Sequence, residues 1–188
     1  MEKFVATLSQ ISELSPQLRE DIASKITFTS FKKKEQILRE GEICNYLYFV
    51  EHGLLRAYYL KDGEEISSLF MEEGDFVISV LSFYKRQASH EFIVALEDCQ
   101  LCGFHYDDLN YLYRKHVEFN LIGRILTEAY FCLAEERLIG MRKSNAEERF
   151  RFLLDKKTDL IARIPGKDLA TYLGVTPETL SRMRSAIR

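Results

Sequence analysis

Near its end the chain reads Thr176-Pro177-Glu178-Thr179-Leu180-Ser181-Arg182-Met183-Arg184, which sets one carboxylate, three hydroxyls and two guanidinium groups on a single short stretch. Helical spacing turns Leu180 and Met183 inward and leaves Glu178, Thr179, Ser181, Arg182 and Ser185 pointing outward or sideways. Such a face needs a rigid support, and the ten preceding residues have the right types for one. Leu169 and Leu173 give a first helix an apolar side, and Ala170 is small where two helices would cross closely. Gly174 supplies a tight turn at which a Cβ would be strained, and Val175 packs beneath it. Thr176 is an N-cap and Pro177 stands at the first helical position. Residues 166–183 therefore satisfy a helix-turn-helix at every position. An ordinary αα-hairpin would share the apolar spacing but would need neither the arginines nor the small residue at the crossing. The chemistry implied is contact with double-stranded DNA.

The charge distribution agrees. The formal net charge of the 188 residues is −3. From Met141 to Arg188 there are 11 Lys and Arg against 6 Asp and Glu, and from Met1 to Gly140 there are 15 against 23. A basic end on an acidic body suits a nucleic-acid-binding module joined to something else. No apolar run is long enough to span a membrane, and the N-terminus lacks a signal-peptide apolar core, so a cytoplasmic location is expected. The cysteines Cys44, Cys99, Cys102 and Cys132 are too few and too scattered for a disulfide scaffold.

The elements that must hold this module fall into three segments, 1–117, 118–143 and 144–188. Ser15-Pro16 opens a short helix. After Thr27, glycines at 41, 53, 63 and 74 separate strand-like runs over 46–50, 54–60 and 66–71, and 91–96 and 100–105 continue them. Asp62-Gly63 is a hairpin signal. Regular short strands with turn signals predict an antiparallel sandwich or barrel. Residues 107–116 read as a short helix. From Glu118 to Arg142 no proline interrupts a long helix with two apolar rows. Ile122, Ile125, Ala129, Cys132 and Ile139 form the row expected to pair with a second copy, and the alternative is a helix lying wholly inside one subunit. Ser144 and Glu147 make a capping box that starts the next helix.

With these pieces in order, the whole chain resembles the Crp/Fnr superfamily of bacterial transcription regulators. The resemblance is carried by the stretches 41–65 and 71–79, by Ala146–Leu154, and by 164–184, of which the last is the most specific. It implies an α+β fold: an N-terminal antiparallel β jelly roll of the cyclic-nucleotide-binding type, a long dimerisation helix, and a small α-helical helix-turn-helix domain at the C-terminus. It implies a non-enzymatic, homodimeric regulator that reads a palindromic operator, with RNA polymerase as a further candidate partner. Glu178 and Arg182 match the family's base-reading acid and arginine, and Ser181 matches a serine of the Fnr-like branch. A carboxylate accepts from cytosine N4 and an arginine pairs with guanine O6 and N7, so a central guanine in each half-site is expected. Pro177 stands where the Crp branch has a further base-reading arginine. Thr176 and Thr179 would hold phosphates, with Lys167, Arg184 and Arg188 as further phosphate candidates. Family members continue into a β-hairpin wing after the recognition helix, whereas this sequence ends at Arg188, so a short form is expected.

The same resemblance locates an effector pocket and empties it of its known chemistry. Aligned from Gly74-Asp75-Phe76, Ile78 and Ser79 stand where cyclic-nucleotide-binding members have Gly-Glu, and Ser89 and His90 stand where they have Arg-Ser. The cationic partner for a cyclic phosphate and the acceptor for a ribose hydroxyl are both replaced. Burying a phosphate without a charged partner is costly, so cyclic AMP is not expected as a ligand, and any effector is a different small molecule. Cys99 and Cys102 lie three apart in a predicted strand, on opposite faces, and His52, His90, His105 and His116 lack metal-ligand spacing, so no metal or cofactor is assigned. The alternative reading keeps the effector-binding jelly roll but makes the C-terminal domain a protein-interaction module with little DNA affinity.

Overall fold

The computed structural model describes residues 2–143 and 145–186. Two helices come first, α1 (Glu2–Ile11) and α2 (Pro16–Lys25). The second starts as expected: Ser15 is the N-cap and its hydroxyl accepts from the Leu18 amide. The first helix was not expected. It inserts Phe4 and Leu8 into the core, with the Phe4 ring edge-on to Phe49 at 5.5 Å and Phe104 at 5.7 Å.

Eight strands follow: β1 (Thr27–Phe31), β2 (Gln36–Leu38), β3 (Tyr46–His52), β4 (Leu55–Lys61), β5 (Glu64–Met71), β6 (Phe76–Val77), β7 (Phe92–Ala95) and β8 (Cys99–His105). A short helix, α3 (Val80–Lys85), interrupts them after β6. They form two antiparallel four-stranded sheets, ordered β1-β8-β3-β6 and β2-β7-β4-β5. This is the jelly roll. Asp62 and Gly63 form the predicted two-residue turn between β4 and β5, both at positive φ, and pair Lys61 with Glu64.

Helices α4 (Tyr106–Lys115) and α5 (Val117–Lys143) follow β8, and α5 is continuous. Phe119 and Ile122 of α5 face the protein's own barrel; Ile122 is only 1% exposed. This corrects the expected partner-facing row. Phe119, Ile122 and Leu126 recur at helical spacing and serve the subunit's own core, so Ile122 is not available to a second copy. Ile125 is half-buried, while Ala129, Cys132 and Ile139 are exposed.

The chain then enters α6 (Ala146–Arg163), α7 (Gly166–Leu173) and α8 (Pro177–Ala186). A capping box does open α6, one residue later than expected. Asn145 accepts from the Glu148 amide, and Glu148 accepts from the Asn145 amide, each at 2.9 Å. Ser144 lies outside the described residues. These helices share one apolar cluster with the barrel: Leu54, just before β4, and Phe70 of β5 pack with Phe150, Leu169, Leu173 and Leu180.

Candidate nucleic-acid interface

The C-terminal helices build the exposed face of α8 from the inside out. Leu169, Ala170, Leu173, Leu180 and Met183 are all buried between α7 and α8 and against α6. Gly174 ends α7 in the left-handed region at φ +69, and its amide bonds back to the Ala170 and Thr171 carbonyls. The Val175 amide reaches Ala170 O at 3.0 Å and closes the turn. Arg149 of α6 donates from Nη2 to the Leu173 carbonyl at 2.8 Å, satisfying an end of α7 that the helix itself cannot. The Thr176 hydroxyl accepts from the Thr179 amide at 3.2 Å and starts α8.

On this support Glu178, Ser181 and Arg182 are exposed at positions i, i+3 and i+4, and so share one face of α8. The Glu178 carboxyl is held below the usual carboxylate range by its own amide, by the Thr176 hydroxyl and by the Arg182 charge. At neutral pH the face therefore presents an anionic acceptor one turn from a planar cationic donor. That pairing is suited to a C·G step in a major groove. Arg184 and Lys167 are exposed, and the Thr176 and Thr179 hydroxyls lie 3.2 Å apart at the helix start. Arg188 lies outside the described residues.

The expected effector positions come together only in part. Ser79 and Ser89 are buried and their hydroxyls lie 3.2 Å apart, while Ser89 also donates to the Glu91 carbonyl at 2.8 Å. Ile78 is half-buried and His90 is exposed. Arg86, a nearby cation, is committed elsewhere. It donates to the Cys44 carbonyl at 2.8 Å and stacks 4.2 Å over the Tyr106 ring. Within the barrel Tyr46 and Tyr48 stack at 5.1 Å, with Phe31 edge-on to Tyr48. Cys99 and Cys102 are buried, and burial pushes the Cys102 thiol up to about 12, far from the reactive range. Among the described residues no group of three or more His, Cys, Asp and Glu side chains could hold a metal ion.

Sequence reasoning missed the polar residues that join α6 and α7 to the barrel. Arg163 binds Glu73 and Glu97, and Arg56 binds Asp168. The available signal was a charged residue, Arg56, in the middle of an apolar strand.

Comparison with known proteins places this geometry. The cyclic nucleotide-binding domain family model matches residues 28–116. The anaerobic regulatory protein of Haemophilus influenzae is 26% identical over 164 residues, covering 81% of this chain and 63% of that protein. The chain thus spans less than two thirds of that relative's length. The structure of FixK2 from Bradyrhizobium japonicum superposes with a TM-score of 0.73 at 25% identity, covering 86% of this chain and 84% of that one. The catabolite activator protein of Thermus thermophilus shares the fold, with a TM-score of 0.57 at 21% identity over 93% of this chain and 84% of that one.

Proposed function

We propose that the chain is a sequence-specific DNA-binding transcription regulator of the Crp/Fnr type, a reading supported by its similarity to the anaerobic regulatory protein and to FixK2. The observation that carries the reading is the face of α8, where Glu178, Ser181 and Arg182 are exposed together on a helix whose opposite side is buried. Glu178 and Arg182 read a cytosine and a guanine, Ser181 assists, and Thr176, Thr179, Lys167 and Arg184 hold phosphates.

The regulator acts as a homodimer. Beyond Leu126 the α5 helix carries exposed apolar side chains, Phe131, Leu133, Leu138, Ile139 and Met141. A helix with that many exposed apolar side chains is stabilised by burying several of them on a second copy. Two recognition helices then meet successive major grooves of a palindrome.

The protein works in the cytoplasm. In keeping with that, no helix of the described residues is long and apolar enough to cross a membrane. RNA polymerase is a proposed further partner. Cyclic AMP is not the effector, because Ser79 and Ser89 pair with one another where a phosphate would need a cation.

Selection of bound sequences from random oligonucleotides, followed by binding across a salt series, tests the proposal. A palindrome with a guanine in each half-site is the expected result. Binding that is equal for all sequences, or absent, refutes it and favours a protein-interaction role for the C-terminal domain.

A further inference from the structure

We propose that Arg56 and Ser67, both in the barrel, are positioning residues for DNA reading: they dock α7 on the outer face of the β4–β5 pair and so fix where α8 points. This inference rests on α8 being the recognition helix. Neither residue belongs to α8.

The docking surface is built from a strand interior and a sheet edge. Arg56 lies within β4 and is 4% exposed. A guanidinium so buried must be paired at several of its donors. Its Nε donates to Ser67 Oγ at 2.8 Å, and its Nη1 contacts Glu65 Oε2 at 2.6 Å and Asp168 Oδ1 at 3.1 Å. Its plane lies 4.5 Å over the Tyr58 ring. Ser67, Glu65 and Tyr58 belong to the barrel, and the remaining partner, Asp168, is carried by α7. Without α7 in place, this buried cation loses one of its two carboxylates.

Ser67 makes the complementary contact. It lies in β5, the outer strand of its sheet, whose free edge would otherwise present unpaired amides. The Ser67 amide donates to Thr171 Oγ1 at 3.2 Å, and Ser67 Oγ donates to the Asp168 carbonyl at 2.9 Å. Asp168, Thr171 and Tyr172 stand at i, i+3 and i+4 on α7, so they form the one face turned to the strands. Tyr172 adds a ring contact to Phe70 of β5 at 5.4 Å.

A second, outer set of pairs bears on the same junction. Helix α6 departs from helical geometry at Lys157, with φ −145 and ψ 47, and there Lys157 reaches Glu72 at 2.6 Å. At the end of α6, Arg163 grips Glu73 and Glu97. The barrel thus offers acids at its turns and a cation at its centre, and the C-terminal helices offer the reverse.

The docked arrangement leaves Glu178 and Arg182 exposed, so it aims the recognition face and does not mask it. It also gives β4 and β5 a direct mechanical path to α8 that bypasses α5. Coupling of this kind requires a contiguous packed and hydrogen-bonded connection, which Arg56, Ser67, Asp168 and Thr171 provide.

The test uses the full chain carrying Cys132→Ser, with spin labels on cysteines introduced at Glu40 and Ser185, diluted into unlabelled chain. Arg56→Met removes the buried cation, and Thr171→Val removes only the hydroxyl that meets Ser67. Without DNA, the parent should give one narrow label-to-label distance, and both variants a broadened one. On the palindrome selected by the parent, both variants should bind about tenfold more weakly, while an isolated half-site should bind them as it binds the parent. Unbroadened distances in both variants, or operator binding as tight as or tighter than the parent's, overturn the inference. Loss of the half-site as well as the palindrome also overturns it, since that marks general damage to α8. A parent that binds no sequence selectively refutes the DNA reading itself, and the distance measurement still decides whether the docking exists.

Discussion

Glu73 and Arg163, 90 residues apart, meet in two parallel hydrogen bonds: Nη1 to Oε2 at 2.8 Å and Nη2 to Oε1 at 3.0 Å. The same carboxylate accepts from the Gly53 amide at 2.7 Å. A turn of the barrel and the last turn of α6 are thereby joined by one planar fork, the geometry in which arginine and carboxylate pair most strongly.

This pair makes stability depend on acid. The Arg163 guanidinium, helped by the Gly53 amide, lowers the Glu73 carboxyl from 4.5 to about 2 in the folded protein. A depressed carboxylate stabilises fully above its unfolded value and loses that contribution as pH falls through its folded value. The wild-type protein should therefore lose about 2 kcal/mol from this group between about pH 5 and pH 2, allowing for solvent screening. Glu73→Gln should be less stable at pH 7 and should lack that part of the acid slope. Urea unfolding at a series of pH values measures both effects, and an unchanged slope would exclude this role for Glu73.

Arg182→Ala should cost the selected operator about 1–3 kcal/mol and remove the preference for guanine at one position of each half-site. Lys167→Ala should weaken all sequences alike and reduce the salt slope by about 1. Binding isotherms on the selected site and on its single-base variants distinguish these two patterns.

Residues along α5 should separate by face. Ile139→Glu should yield monomers in sedimentation and lower the melting temperature only by the stabilisation lost with the dimer, because Ile139 is exposed in the subunit and lies outside its core cluster. Ile122→Ala should leave the dimer intact but cost about 2–4 kcal/mol of folding stability, since it opens a cavity in the subunit's own core. Dissociation caused by Ile122→Ala without loss of stability would reverse this assignment.

Two glycines should respond very differently to alanine. At Gly103 a Cβ would sit 2.1 Å from the Leu47 carbonyl oxygen, a backbone atom that cannot move without parting β3 from β8. Gly103→Ala should abolish soluble folded protein or lower its stability by more than about 3 kcal/mol. At Gly174 a Cβ would meet nothing within 4 Å, so Gly174→Ala bears only the cost of positive φ, about 1 kcal/mol. Thermal unfolding of both variants compares the two costs.

Local signals were legible wherever the stabilising partner lies within a few residues. Asp62-Gly63 marked its hairpin, Ser15-Pro16 marked the start of α2, and residues 166–183 marked two helices around Gly174. The capping box shows the resolution of such signals. Ser144 and Glu147, or Asn145 and Glu148, both satisfy the pattern, and the helix uses the second pair. Helix α1 was harder to read, because its Phe4 and Leu8 have no local partner. Their role is set by Phe49 and Phe104 on distant strands.

What the amino-acid sequence determined by itself was the longer strands, the long helix and the two C-terminal helices, together with the residue types on the α8 face. Those follow from periodicity, caps and turns, all of which act over about one helical turn or one hairpin. What only the tertiary structure decided was which surfaces of those elements are used. An apolar row on α5 looks the same whether it faces a barrel or a partner, and contact with the barrel buries Ile122. Asp168 looks like an ordinary first-turn acid of α7 until β4 brings Arg56 within 3.1 Å of it. Such pairings are made by chain closure over a hundred residues, and no local pattern encodes the partner.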